Sequence, residues 1–179
     1  MKWIIPLCLA AAPVFAETCP PSPDHAAAEA ELYAQLQALQ TPVGALELSG
    51  ALWGLWTDAP DEQAQALLDK GMEQRERSDL LGARDTLDQL VDYCPSFAEG
   101  YNQRAFANFL RADYDAALFD LDIAQDLSPN HTGVLTGKAF TLMRLGRDDE
   151  AQELLRIAVA LNPWLTERAL LNEPDGQDI

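Results

Sequence analysis

The side chains able to do chemistry are few in this sequence, and their spacing is wrong for catalysis. His25 and His131 stand far apart, each beside a helix start or a junction, where a solvated or capping role is expected. No nucleophile elbow, phosphate-binding glycine loop, zinc-ligand spacing or EF-hand loop is present. The acidic run Asp148-Asp149-Glu150 falls where a helix should begin, and negative charge there offsets the helix dipole. Asp113, Asp115, Asp120 and Asp122 surround a turn and a helix face. They read as a solvated face, with a weak cation site as the alternative. The expectation is no catalytic residue, no cofactor and no metal, so not an enzyme.

Cysteine is the remaining reactive type, and its meaning depends on compartment. Met1-Lys2 give a short basic start, Trp3 to Val14 an apolar run, and Val14-Phe15-Ala16 small residues around a cleavage point. The pattern predicts a secretory signal over residues 1–16, cut after Ala16 and too short to span ~30 Å of hydrocarbon stably. The expected product is exported, with the periplasm the expected compartment, and the mature chain is not expected to insert in a membrane. Removing the signal takes Cys8 and Lys2 with it. It leaves 11 basic against 29 acidic residues, a net charge of −18, which disfavours nucleic acid and anionic lipid as partners. Cys19 and Cys94 then form an even pair in an oxidising compartment, and a disulfide between them is expected to tie down the extended segment 17–23.

The elements that would position these residues emerge from self-comparison. Pro95, Pro129 and Pro163 recur every 34 residues, as do Ala83, Ala117 and Ala151, and Leu87, Leu121 and Leu155. Gly71, Ala105 and Ala139 form a fourth series of small residues. Three units follow, over residues 64–97, 98–131 and 132–165, each two amphipathic helices around a turn at 77–79, 111–113 or 145–147. The small residues are expected where two helix backbones approach most closely, since a larger side chain would overpack the pair. A proline closes each unit because it cannot continue a helix.

These positions resemble the tetratricopeptide repeat (TPR), and the chain is similar to small exported TPR proteins of Gram-negative bacteria. Departures are Leu67 and Leu135 where an aromatic often opens the unit, and Leu90 where the matched positions hold Ala124 and Ala158. The resemblance implies an all-α, right-handed α-solenoid. Residues 24–63 read as a degenerate TPR-like N-terminal hairpin, with helices over 24–40 and from Thr41-Pro42 onward, and Trp53 and Trp56 packing on the first unit, a ligand platform being the alternative. Residues 166–179 read as a short capping helix, with Leu170 and Leu171 inward, and a polar tail.

The resemblance further implies that the first helix of each unit lines a concave groove. Projected onto this chain, that face holds Leu68, Met72, Arg75, Glu99, Asn102, Phe106, Phe109, Thr136, Phe140 and Met143. It is either an open apolar groove, or one filled by the C-terminal helix or absorbed into the core. The family's carboxylate-clamp positions fall on Leu68, Met72, Gln103, Gly133 and Gly137, so that clamp is absent. The expected function is an adaptor or assembly factor that holds an apolar or amphipathic segment of another protein or peptide. A permanent structural subunit of an envelope complex or homo-oligomer is the alternative, and the oligomeric state is left open.

Overall fold

The computed structural model describes residues 18–172. The expected signal over residues 1–16 and the polar tail from residue 173 lie outside the described residues. Eight α-helices follow one another among them: α1 (Ala26–Ala38), α2 (Ala45–Trp56), α3 (Glu62–Glu76), α4 (Leu80–Tyr93), α5 (Ala98–Leu110), α6 (Tyr114–Leu127), α7 (Thr132–Arg144) and α8 (Asp148–Leu161). A 3-10 helix, Thr166–Leu170, follows. Helices α3 to α8 form three consecutive hairpins stacked into an α-solenoid, with each turn where the 34-residue register puts it.

The turns show why. Each first helix ends on a residue in the left-handed region, Ser78, Ala112 and Gly146, again 34 apart. The amide two positions beyond the last helical turn closes back on the helix three times over: Asp79 N on Gln74 O, Asp113 N on Asn108 O and Arg147 N on Leu142 O, all at 2.9 Å. This is the Schellman closure, which satisfies carbonyls the helix end leaves unpaired. Asp79 then accepts from Gly82 N at 3.0 Å and starts α4. In α8, Asp148, Asp149 and Glu150 fill the first turn as expected.

Close helix approach is borne out at the small residues. A Cβ on Gly71 would lie 2.7 Å from Leu87 Cδ2, and Ala83, Ala105, Ala117, Ala139 and Ala151 are all buried. Each hairpin has its own core: Leu68, Leu87 and Leu90 in the first, Tyr101, Leu121 and Val134 around the second, Leu135, Leu142 and Leu155 in the third.

The N-terminal hairpin departs from expectation. It does not stack on the first unit as a further repeat. Instead α1 and α2 lie along the edge of the solenoid where the units join. Tyr33 Oη donates to Asn130 O and accepts from Thr132 N at 3.3 Å, and Gln37 Nε2 donates to Ala160 O at 2.9 Å. Trp164 Nε1 donates to Leu36 O at 2.9 Å, and Asn162 Nδ2 to Ser49 Oγ at 3.2 Å. Leu36, Tyr33 and Leu52 form a core with Leu161 and Trp164 of the third unit. Trp56 stacks on His131 with ring centroids 3.7 Å apart, rather than packing on the first unit. At its other end the segment before α1 meets the first unit: Cys19 and Cys94 bring their sulfurs to bonding distance, Cα–Cα 5.2 Å, and Ser22 Oγ donates to Ser96 O at 3.2 Å.

Helix α2 also starts later than the Thr41-Pro42 signal suggests. Ala45 N closes a turn on Pro42 O, and Gly44 at φ 91° turns the chain into the helix. At the C-terminus the expected capping helix is a single 3-10 stretch. Leu171 packs inward on the third core as expected, but Leu170 is exposed.

Candidate binding groove

Helices α3, α5 and α7 line the concave face, and six of the ten expected groove residues meet around one cavity of about 310 Å³. These are Arg75, Asn102, Phe106, Phe109, Thr136 and Phe140. Phe106 is 45% exposed at its centre, with the Arg75 guanidinium 4.3 Å above its ring. Phe140 is half-buried, and Phe109 leans on the second core and meets Tyr114 edge-on at 5.4 Å. Trp53 from α2, expected to pack on the first unit, stands on the rim instead, as does Glu167 from the 3-10 helix. That helix packs on α8, with Gln152 Nε2 donating to Leu170 O at 2.9 Å, and does not fill the groove.

The other four residues are not groove surface. Leu68 is fully buried in the first core and Met72 packs against it. Met143 packs against the third core. The apolar strip therefore stops short at both ends, because the helix face that meets the next hairpin and the face that meets the groove overlap there. Glu99 is buried at the start of α5 and points to the unit junction.

There Glu99 accepts from Asn102 Nδ2 at 2.9 Å and from Gln103 Nε2, and lies 2.9 Å from His131 Nε2. His131 Nδ1 accepts from Val134 N at 3.2 Å, which caps α7 and leaves Nε2 as the donor to the carboxylate. The capping role expected of His131 is met, and the solvated one is not. His25 Nε2 stands 2.8 Å from Asp58, joining the segment before α1 to the linker after α2.

Asp120, expected on a solvated face, is buried. Its carboxylate takes both Nε (3.0 Å) and Nη2 (2.6 Å) of Arg104, whose Nη1 donates to Asp88 at 2.9 Å. Burial pushes the Asp120 carboxyl above its ordinary value, and Arg104 opposes that shift. One unit later Asp122 pairs with Lys138 at 2.6 Å. Asp88/Asp122 and Arg104/Lys138 are themselves 34 apart, so this inter-unit ion pair was present in the register as complementary charge. Among the described residues no group of three or more His, Cys, Asp or Glu could hold a metal ion, and no helix is long and apolar enough to cross a membrane.

No protein-family model matches the chain. A TPR repeat-containing protein of Rhizobium etli is 28% identical over 121 residues, covering 66% of this chain and 58% of its own. Tetratricopeptide repeat protein 36 of Xenopus tropicalis is 32% identical over 134 residues, covering 72% of this chain and 66% of its own. The chain thus spans about three-fifths to two-thirds of the length of these relatives. Among solved structures, the first TPR domain of Spaghetti (RPAP3) bound to an HSP90 peptide superposes with a TM-score of 0.59 at 22% identity, over 62% of this chain and 88% of that one. The structure of MamA does so with a TM-score of 0.54 at 20% identity, over 65% and 72%. The 34-residue register, the hairpins it builds and these relatives place the chain in the tetratricopeptide-repeat family.

Proposed function

We propose that the protein is a non-catalytic interaction module that holds an apolar or amphipathic segment of another protein on its concave face. The half-exposed Phe106, set in a cavity walled by Phe109, Phe140 and Trp53, carries this reading. Apolar surface kept open to solvent between well-packed cores is the usual mark of an interaction site. That a solved TPR neighbour holds an HSP90 peptide agrees with it. Export, with the periplasm as compartment, belongs to the same proposal. It is supported by the basic-then-apolar start over residues 1–16 and by the meeting of Cys19 with Cys94, whose bridge an oxidising compartment would keep.

A photo-crosslinking residue at Asn102, on the cavity wall, tests the reading against the same residue at the exposed Phe119 of α6. The expected result is one recurrent, apolar client segment attached at position 102 and not at 119, lost when Phe106→Ser is added. Equal labelling at both positions refutes it. Phe109 is unsuited to this test, because it also supports the second core.

A permanent subunit is the second reading, favoured by Val43 and Leu46, which stand 79% and 87% exposed on the hairpin. Light scattering of the purified chain decides: a monomer supports the module, a stable oligomer broken by Leu46→Lys the subunit.

A further inference from the structure

Helix α2 turns one face inward and leaves the other bare. Leu48, Leu52 and Trp56 pack in the hairpin core, and Ser49 Oγ accepts from Asn162 Nδ2. The opposite face carries Leu46, Gly50, Trp53 and Gly54 at helical spacing, with Val43 just before the helix. All five are exposed, Leu46 most of all among the large side chains. The glycines are the informative pair. Glycine inside a helix weakens it relative to alanine, so its presence there needs a reason. In α3 and α5 the reason is internal: a Cβ on Gly71 would strike Leu87, and one on Gly100 would crowd Leu90. At Gly50 and Gly54 nothing in the chain lies within 4 Å of where a Cβ would stand. Four positions apart, they make a flat shelf along one turn of helix, with Leu46 and Trp53 rising at its side. Such a shelf lets the backbone of a second helix come close, its ridges seated beside the flanking side chains.

Charge selects the occupant. The one charged residue of α2 is Glu47, exposed beside the shelf. From residue 17 to residue 69 the chain carries nine acidic residues and no Lys or Arg. A second copy would set this acidic hairpin against itself, and an anionic lipid surface would be repelled. A helix that carries lysine or arginine beside its apolar face is attracted instead. We propose that the outer face of α2 is a second docking surface, apart from the concave groove, for a basic amphipathic helix of another protein. That helix lies along the shelf, its apolar face on Leu46, Gly50 and Gly54 and its cations toward Glu47.

The probes are two synthetic helical peptides of about five turns with the same Ala/Leu face, one flanked by lysines and one by glutamates, and vesicles of anionic phospholipid. Each is titrated into the full exported chain and followed by NMR at the Gly50 and Gly54 amides. The expected result is saturable binding of the lysine peptide that shifts both amides, about tenfold or more tighter than the glutamate peptide. Gly50→Leu/Gly54→Leu fills the shelf while adding apolar surface and favouring the helix. It should weaken the lysine peptide by about tenfold or more with no fall in thermal stability. Phe106→Ser, which alters the concave groove, should leave this binding unchanged. No saturable shift at the two glycines overturns the proposal, as does equal binding of the two peptides or loss of binding in Phe106→Ser. Undiminished binding to Gly50→Leu/Gly54→Leu also overturns it, since the contact is then charge without a shelf. Vesicles that shift the same amides would give the face to lipid, and self-association broken by Leu46→Lys would give it to a second copy; either result refutes the proposal. Crosslinking at Asn102 tests the concave groove separately, so each surface can fail without the other.

Discussion

At the scale of single residues, the three units differ by paired substitutions. Leu90 of α4 is larger than Ala124 and Ala158, and the residue it faces in α5 is correspondingly small: a Cβ on Gly100 would stand 3.2 Å from Leu90 Cγ. One unit later the small Ala124 shares a core with Val134, the counterpart of Gly100. Polar groups swap in the same way. Gln74 bonds Thr86 at 2.7 Å and Asn108 approaches Asp120, while their counterparts Leu142 and Leu154 share the third core. The Leu90–Gly100 fit gives a test. Gly100→Val alone should cost about 1–3 kcal/mol by overpacking, and Leu90→Ala alone about 2–5 kcal/mol by opening a cavity. The double substitution, which installs the second unit's solution in the first, should cost clearly less than their sum in denaturant unfolding. Additivity within about 0.5 kcal/mol would mean the two residues do not share one space.

At the scale of elements, the helices and turns of the three hairpins were legible and the docking of the N-terminal one was not. The 34-residue register fixes how α3 to α8 pair and where they turn, because each unit repeats its neighbour, while Leu68, Met72, Asp120 and Met143 show that the buried faces extend beyond the repeated small residues. Helices α1 and α2 were legible as helices, but periodicity names a buried face without naming its partner. Their partners Asn130, His131, Leu161 and Trp164 lie in the second and third units, outside any register with the hairpin. The groove was half legible for the same reason. The central residues Phe106, Phe109 and Phe140 project as expected, while Trp53 arrives from an element whose docking the sequence did not show.

Docking of the hairpin has a pH signature. Burial pushes the Tyr33 hydroxyl up to about 12 from an ordinary value of 10.0. A group raised in the folded state contributes stability that is complete below its unfolded pKa and is lost as pH climbs to the folded one. Stability should therefore fall between about pH 10 and 12, by roughly 2–3 kcal/mol from this residue. Tyr33→Phe should remove that part of the alkaline loss. At neutral pH it should cost about 1 kcal/mol, because Asn130 O and Thr132 N lose their partner. Chemical unfolding of both proteins at pH 8 and 11.5 checks it, and identical alkaline losses would show that Tyr33 does not hold the hairpin.

At the scale of the whole molecule, stacked repeats ordinarily behave as a one-dimensional array whose ends fray independently. Here the segment from Cys19 to Trp56 touches the first unit through Cys94 and Ser96 and the third through Ala160, Asn162 and Trp164. A disturbance at one end should then be felt at the other. Cys94→Ser, which frees the anchor on the first unit, should lower hydrogen-exchange protection of the α8 amides. An array of independent units predicts loss confined to α3 and α4. A bridge closing 75 residues of chain is worth about 2–4 kcal/mol in an unstrained setting, enough to make the difference measurable.

The same segment, fastened at both ends, bears on the width of the concave face. An open solenoid is a spring: it changes pitch and widens to admit bulkier cargo. This one is a buckled belt, its first and last coils held at a set distance by a segment that also hangs Trp53 over the opening. The client proposed above would then meet a groove of fixed aperture, and only unfastening the buckle would change its setting.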